Sequence, residues 1–121
     1  MKTDALIRAG VIGLGVGEKH IAGYEADERC QVILICDTDS AKLSQVGSRY
    51  PGITRTNDPE EVLTNPDIGV VSIASYDNFH CDQIVLALEH SKHVFVEKPL
   101  AKTSKECNKL IKLSLKKLSL F

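Results

Sequence analysis

The sequence predicts a doubly wound α/β fold, a mainly parallel sheet with helices on both faces. Three observations predict it. Strand and helix signals alternate about five times along the chain. The strand segments are continuous apolar runs such as VILIC, the pattern of strands buried on both faces and not of strands with one wet side. The first of these runs ends in a cluster of glycines, where a strand must turn sharply into a helix.

Each element has its own signal. Residues 6–14 read as a buried strand opening into the tight turn, and residues 18–28 as the helix after it. Residues 32–36 are a second buried strand, closed by Asp37. Residues 40–49 suit a helix with Ser40 as N-cap, broken by Tyr50-Pro51-Gly52. A short third strand is expected over 53–56. Asp58-Pro59-Glu60-Glu61 starts a helix: Asp58 can cap, Pro59 fits the first turn, and the acids suit the positive end of the dipole. Asn65-Pro66-Asp67 stops it. A strand over 70–74, a helix over 78–90 and a strand over 93–96 follow. Thr103 or Ser104 begins a last helix, with Leu110, Ile111, Ser114 and Leu118 on one face and Lys105, Lys109, Lys112 and Lys116 on others.

The chain has 121 residues, enough for one domain, and is 43% apolar and 26% charged, as an ordinary globular protein is. Its net charge of −1 points to no nucleic-acid partner. That balance hides an asymmetry: from Lys98 onward seven lysines face the single acid Glu106, a local +6 against −7 for residues 1–97. A lysine-rich solvated helix face accounts for it more simply than an acidic partner or a membrane surface. None of Cys30, Cys36, Cys81 and Cys107 forms a C-x-x-C pair, and Cys36 and Cys107 read as core thiols. The start, Met1-Lys2-Thr3-Asp4, leads into an apolar run broken by Arg8, which fits neither a signal peptide nor a membrane span. A reducing, cytoplasmic location is expected.

Ligands of open parallel sheets sit at the carboxyl ends of the strands. Here those ends are Gly13–Gly17, Asp37, 75–80 and 97–99. The turn Gly13-Leu14-Gly15-Val16-Gly17 suits a dinucleotide, because one glycine permits the turn, a second lets backbone approach the pyrophosphate, and a third lets helix and strand pack closely. The helix start then offers free N–H groups to the phosphates. The spacing is G-x-G-x-G, one residue shorter than the common fingerprint, with Glu18 where its third glycine would fall. Asp37 follows Gly17 by about the 20 residues expected of the acid that accepts from the adenosine ribose. With Thr38 and Asp39 beside it and no adjacent base, it favours NAD over NADP. The bland alternative for Asp37 is helix capping.

Four stretches give the chain a resemblance to the N-terminal, Rossmann-like half of the Gfo/Idh/MocA oxidoreductases. They are Gly17-Glu18-Lys19-His20, Cys36-Asp37-Thr38-Asp39, Ala74-Ser75-Tyr76-Asp77-Asn78-Phe79-His80, and Lys92-His93-Val94-Phe95-Val96-Glu97-Lys98-Pro99. The third resembles the family's A-T-P-N-x-x-H, with Tyr76 for Pro and Asp77 for Asn. The fourth, matching K-H-V-x-x-E-K-P, is the most specific. The resemblance implies hydride transfer between NAD(P) and a secondary hydroxyl of a sugar or cyclitol. It places Lys98 as the catalytic lysine beside nicotinamide and substrate, Glu97 as its orienting partner, and Ser75, Tyr76 and His80 at the cofactor with Gly13, Gly15, Val16, Gly17 and Asp37. Pro99 is a candidate cis-proline. His20 is expected to pack or hydrogen-bond within its own helix. His90 and His93 lack a third partner for a metal, so no metal is expected.

The family's second half, a substrate-binding sheet, has no counterpart before Phe121. Residues 1–121 are therefore expected to be a dinucleotide-binding domain alone, inactive without a second domain and self-associating through an uncovered edge. A free-standing NAD-binding module, such as a redox sensor or partner-completed subunit, and an unrelated flavodoxin-like domain are the alternatives.

Overall fold

A computed structural model describes residues 6–75, 77–96 and 104–117. The elements run β1 (Ile7–Ile12), α1 (Gly17–Glu25), β2 (Cys30–Cys36), α2 (Ser40–Gly47), β3 (Thr54–Thr56), α3 (Pro59–Leu63), β4 (Val70–Ile73), α4 (Asp77–Glu89), β5 (His93–Val96) and α5 (Ser104–Lys117). The five described strands form one parallel sheet in the order β3-β2-β1-β4-β5. The chain starts in the middle, winds outward to β3, then crosses back to β4 on the other side of β1. Strand order thus reverses between β1 and β4, and a crevice opens at their carboxyl ends.

The continuous apolar strands are explained by two cores, one on each face. Ile12, Leu34, Val71, Ile73 and Val94 pack with Val62, Leu63, Ile84, Leu88 and Leu110 from α3, α4 and α5. Ala9, Val11, Val32 and Ile35 pack with Leu14, Ile21, Leu43 and Val46 around α1 and α2. Each fully buried aliphatic side chain contributes about 1.5–3 kcal/mol, so the two faces share the stabilising load.

Several boundaries differ from expectation for local reasons. The N-cap of α2 is Asp39, whose carboxylate accepts from the Ala41 and Lys42 amides, and Ser40 is the first helical residue. Asp58 caps α3 as expected, accepting from the Glu60 amide, with Pro59 in the first turn. Helix α1 begins at Gly17 and stops at Glu25, because the Asp27 carboxylate folds the next residues into a turn by accepting from the Arg29 amide. On α5, Leu110 is fully buried but Ile111 is 48% exposed, so Ile111 does not share the packed face assigned to it; Leu113 packs against the core instead. Cys36 and Cys81 are buried and Cys30 half-buried, none of the three in a disulfide; Cys107 lies outside the described side chains. Among the described residues no helix is long and apolar enough to cross a membrane.

Candidate functional site

The carboxyl ends of β2, β1 and β4 lie side by side and bring Asp37, the glycine turn and Ser75 to one edge of the sheet. Backbone bonds lock the three together. The Gly13 amide donates to the Cys36 carbonyl at 2.9 Å, and the Ala74 amide donates to the Ile12 carbonyl at 2.8 Å. The Asn57 side chain holds the Asp37 carbonyl at 2.9 Å.

The three glycines of the turn stand in different surroundings. Gly13 has φ +87°, and a Cβ there would sit 2.5 Å from the Ala74 carbonyl oxygen, so neither conformation nor space admits a side chain. Gly17 lies against β1, where a Cβ would come 3.0 Å from Val11 Cγ1. Gly15 is different: a Cβ would meet nothing within 4 Å, and its φ is not in the left-handed region. Nothing in the described protein needs glycine at 15. Val16 beside it is half exposed and is the N-cap of α1, with no side-chain cap on the helix. The two neighbouring helices are capped by Asp39 and Asp58, whereas no side chain caps the start of α1, where the Lys19 amide donates to the Val16 carbonyl.

Asp37 is engaged on both oxygens. Oδ2 accepts from the Leu14 amide at 3.0 Å and Oδ1 from the Asp39 amide at 2.9 Å. Helix capping, the bland alternative, belongs to Asp39. Asp37 instead ties the glycine turn to the end of β2, a link that sequence spacing does not reveal. The edge is strongly negative: burial first, then the charges of Asp37, Asp58 and Glu61, push the Cys36 thiol up to about 12. Arg49, from just beyond α2, is paired with Glu18 at the start of α1.

Ser75 is half-buried and donates to Gln83 Oε1 of α4 at 2.6 Å. Sequence reading missed Gln83, Asn57 and the Leu14 amide; Gln83 follows Asp82 in the polar start of α4, where nothing in the sequence sets it apart. His20 reaches out of its own helix to the half-exposed Phe95 of β5, ring centroids 5.1 Å apart. Lys92, of the K-H-V match, is buried at the opposite end of the sheet, donating to the Asn65 carbonyl; burial lowers its pKa, partly offset by Asp67. It is a structural residue. Tyr76, Glu97, Lys98 and Pro99 lie outside the described residues, as do the side chain of His80 and those of Asp77, Asn78 and Phe79. Among the described residues, no group of three or more His, Cys, Asp or Glu could hold a metal. Two surface grooves lie away from this edge. One of about 860 Å³ runs between α4 and α5, and one of about 630 Å³ lies at the amino ends of β1, β4 and β5.

Residues 7–120 match the family model described as an oxidoreductase family with an NAD-binding Rossmann fold. The chain is 36% identical over 102 residues to 1-carboxy-3-chloro-3,4-dihydroxycyclo hexa-1,5-diene dehydrogenase of Comamonas testosteroni, covering 84% of this chain and 26% of that protein. It is 29% identical over 113 residues to inositol 2-dehydrogenase of Salmonella typhimurium, covering 91% and 34%. The crystal structure of Synechocystis biliverdin reductase, in complex with biliverdin and NADP+, superposes with a TM-score of 0.90 at 26% identity, over 94% of this chain and 36% of that one. The chain thus spans about a third or less of the length of these relatives.

Proposed function

The chain belongs to the Gfo/Idh/MocA oxidoreductases, as an NAD-binding Rossmann domain, and from this we propose that Gly13, Gly15, Val16, Gly17, Asp37 and Ser75 form its dinucleotide site, with NAD(H) preferred over NADP(H). The observation that carries the placement is the open space at Gly15, the one glycine of the turn that neither backbone nor packing requires. That space suits a pyrophosphate resting on backbone, with amides at the uncapped start of α1 as donors. A carboxylate has about four acceptor positions, so Asp37 can hold the Leu14 and Asp39 amides and still accept from a ribose. The acids around Cys36 oppose a 2′-phosphate, which supports the NAD preference.

For the whole reaction we carry over the remaining family positions: Tyr76, His80 and Glu97 at the cofactor, and Lys98 as the catalytic group that holds the substrate hydroxyl and moves its proton. The nicotinamide supplies the hydride chemistry. The substrate class is a sugar or cyclitol bearing a secondary hydroxyl, as the inositol 2-dehydrogenase relative suggests. Residues 1–121 are one dinucleotide-binding domain, the chain self-associates, and Cys30, Cys36 and Cys81, none in a disulfide, suit the cytoplasm.

Titration of the chain with NADH and NADPH, for wild type and Gly15→Val, tests the site. Wild type binds NADH more tightly, and Gly15→Val abolishes binding of both while keeping its fold, since a Cβ there meets nothing within 4 Å. A folded Gly15→Val that binds NADH normally removes the pyrophosphate from the turn.

A further inference from the structure

Ser75 and Gln83 carry an inference that rests on this cofactor reading and extends it. A hydroxyl has one proton to give. That of Ser75 goes to Gln83 Oε1 at 2.6 Å, in a partly buried contact between the end of β4 and the second turn of α4. Toward any ligand, Ser75 can therefore act only as an acceptor. Its place in the sheet says which part of a ligand it meets. Asp37, the turn and Ser75 end three adjacent strands, spaced about 4.8 Å apart. A dinucleotide with its adenosine ribose at Asp37 and its pyrophosphate at the turn carries its second riboside on toward Ser75.

We propose that Gln83 is a positioning residue that fixes the polarity of Ser75, so that Ser75 accepts from a donor on the nicotinamide riboside, a ribose hydroxyl or the carboxamide N–H, and turns away phosphate. The pyrophosphate is ionised at neutral pH and its oxygens bring no proton, so an acceptor-only Ser75 disfavours a pyrophosphate slipped from the turn toward β4. Gln83 thereby sets the register of the ligand along the sheet edge without touching it.

Binding of NADH and of ADP, which lacks the second riboside, distinguishes this from a general structural role. Gln83→Leu keeps helix propensity and volume but frees the Ser75 proton; it is expected to weaken NADH about three- to ten-fold, the worth of one net hydrogen bond, and to leave ADP unchanged. Gln83→Glu keeps the acceptor and preserves the wild-type ratio of NADH to ADP affinity, even where its charge weakens both. In a Ser75→Ala background, Gln83→Leu adds nothing. ADP-ribose separates the two donors: weakened with NADH, the donor is a ribose hydroxyl; unchanged, it is the carboxamide. Unchanged NADH affinity in Gln83→Leu, equal loss of NADH and ADP, or a full effect without Ser75 overturns the proposal. A wild-type chain that binds neither NADH nor ADP overturns the cofactor site itself, and the proposal with it.

Discussion

The carboxylate of Asp37 is engaged twice before any ligand arrives, so its removal has two consequences that one substitution cannot separate. Asp37→Ala deletes both the charge that repels a 2′-phosphate and the clamp on the Leu14 amide. Asp37→Asn removes the charge and keeps one acceptor, enough for the Leu14 amide but not also for that of Asp39. If repulsion sets the preference, Asn narrows the NADH-over-NADPH gap by about 1–3 kcal/mol, the scale of a buried polar mismatch, and lowers thermal stability less than Ala, which loses both bonds; paired titrations and melts read both. The position of Asp37 was legible from its spacing to Gly17, but its grip on the turn was not, because a contact between residues 14 and 37 depends on the strand order. Cys36 next to it makes a separate prediction. An unfolded thiol titrates near 9 and the folded one at about 12. Between those values the unfolded chain gives up a proton that the folded chain keeps, so the contribution is whole below pH 9 and is lost as pH rises, by about 1.4 kcal/mol per pH unit. Tyr24, also raised by burial, acts in the same direction, and Lys92, lowered by burial, acts against it. Cys36→Ala flattens the decline in denaturant midpoint from pH 9 upward, whatever its cavity costs at pH 7. An unchanged slope would mean that the thiol ionises freely in the folded chain.

At the scale of elements, the ends of helices carry most of what the sequence misplaced. Capping depends on which of several adjacent Ser and Asp residues points back at the amides, and in Asp37-Thr38-Asp39-Ser40 three side chains compete. The structure assigns the work to Asp39. The end of α4 is more informative. Ser91 sits at φ +60°, the Lys92 amide donates to the Ala87 carbonyl, and the Ser91 amide donates to the Leu88 carbonyl. This is a Schellman ending with serine where glycine is preferred. A left-handed non-glycine residue costs about 1–2 kcal/mol, partly offset by glycine's freedom in the unfolded chain. Ser91→Gly is therefore expected to stabilise by about 1 kcal/mol and raise the melting temperature by about 4 °C. A lower melting temperature would show that the serine side chain contributes to the turn. Strands were legible to within about two residues, because their apolar runs are continuous in the sequence: β5 matches the expected range although its alternate residues His93 and Phe95 are exposed, while β1 ends two residues before its expected end and β2 starts two residues before its expected start.

At the scale of the whole molecule, the proposed site offers a place for a dinucleotide alone. Hydride transfer needs cofactor, substrate carbon and proton acceptor in a single alignment that can supply roughly 7–11 kcal/mol of the barrier. The chain spans only 26–34% of its curated relatives, and the 121 residues by themselves are expected to bind NADH yet oxidise polyols, inositols and sugars no faster than background. Steady NADH production by the purified chain, abolished in Lys98→Ala, would overturn that expectation. A candidate cofactor site could be proposed from sequence and a substrate site could not, because phosphate and ribose are met by glycines and an acid at fixed spacing, whereas a small polar substrate is met by side chains from distant segments. The winding order has one more consequence, and it concerns time. β1 pairs with β2, its neighbour in sequence, and with β4, far along the chain. The first pairing closes a short loop and the second a long one, whose entropy cost delays it. Asp37 and the glycine turn can therefore meet early, while Ser75 joins them only when β4 docks. During refolding, affinity for ADP should emerge ahead of the full affinity for NADH, so that the nucleotide itself clocks the closing of the sheet.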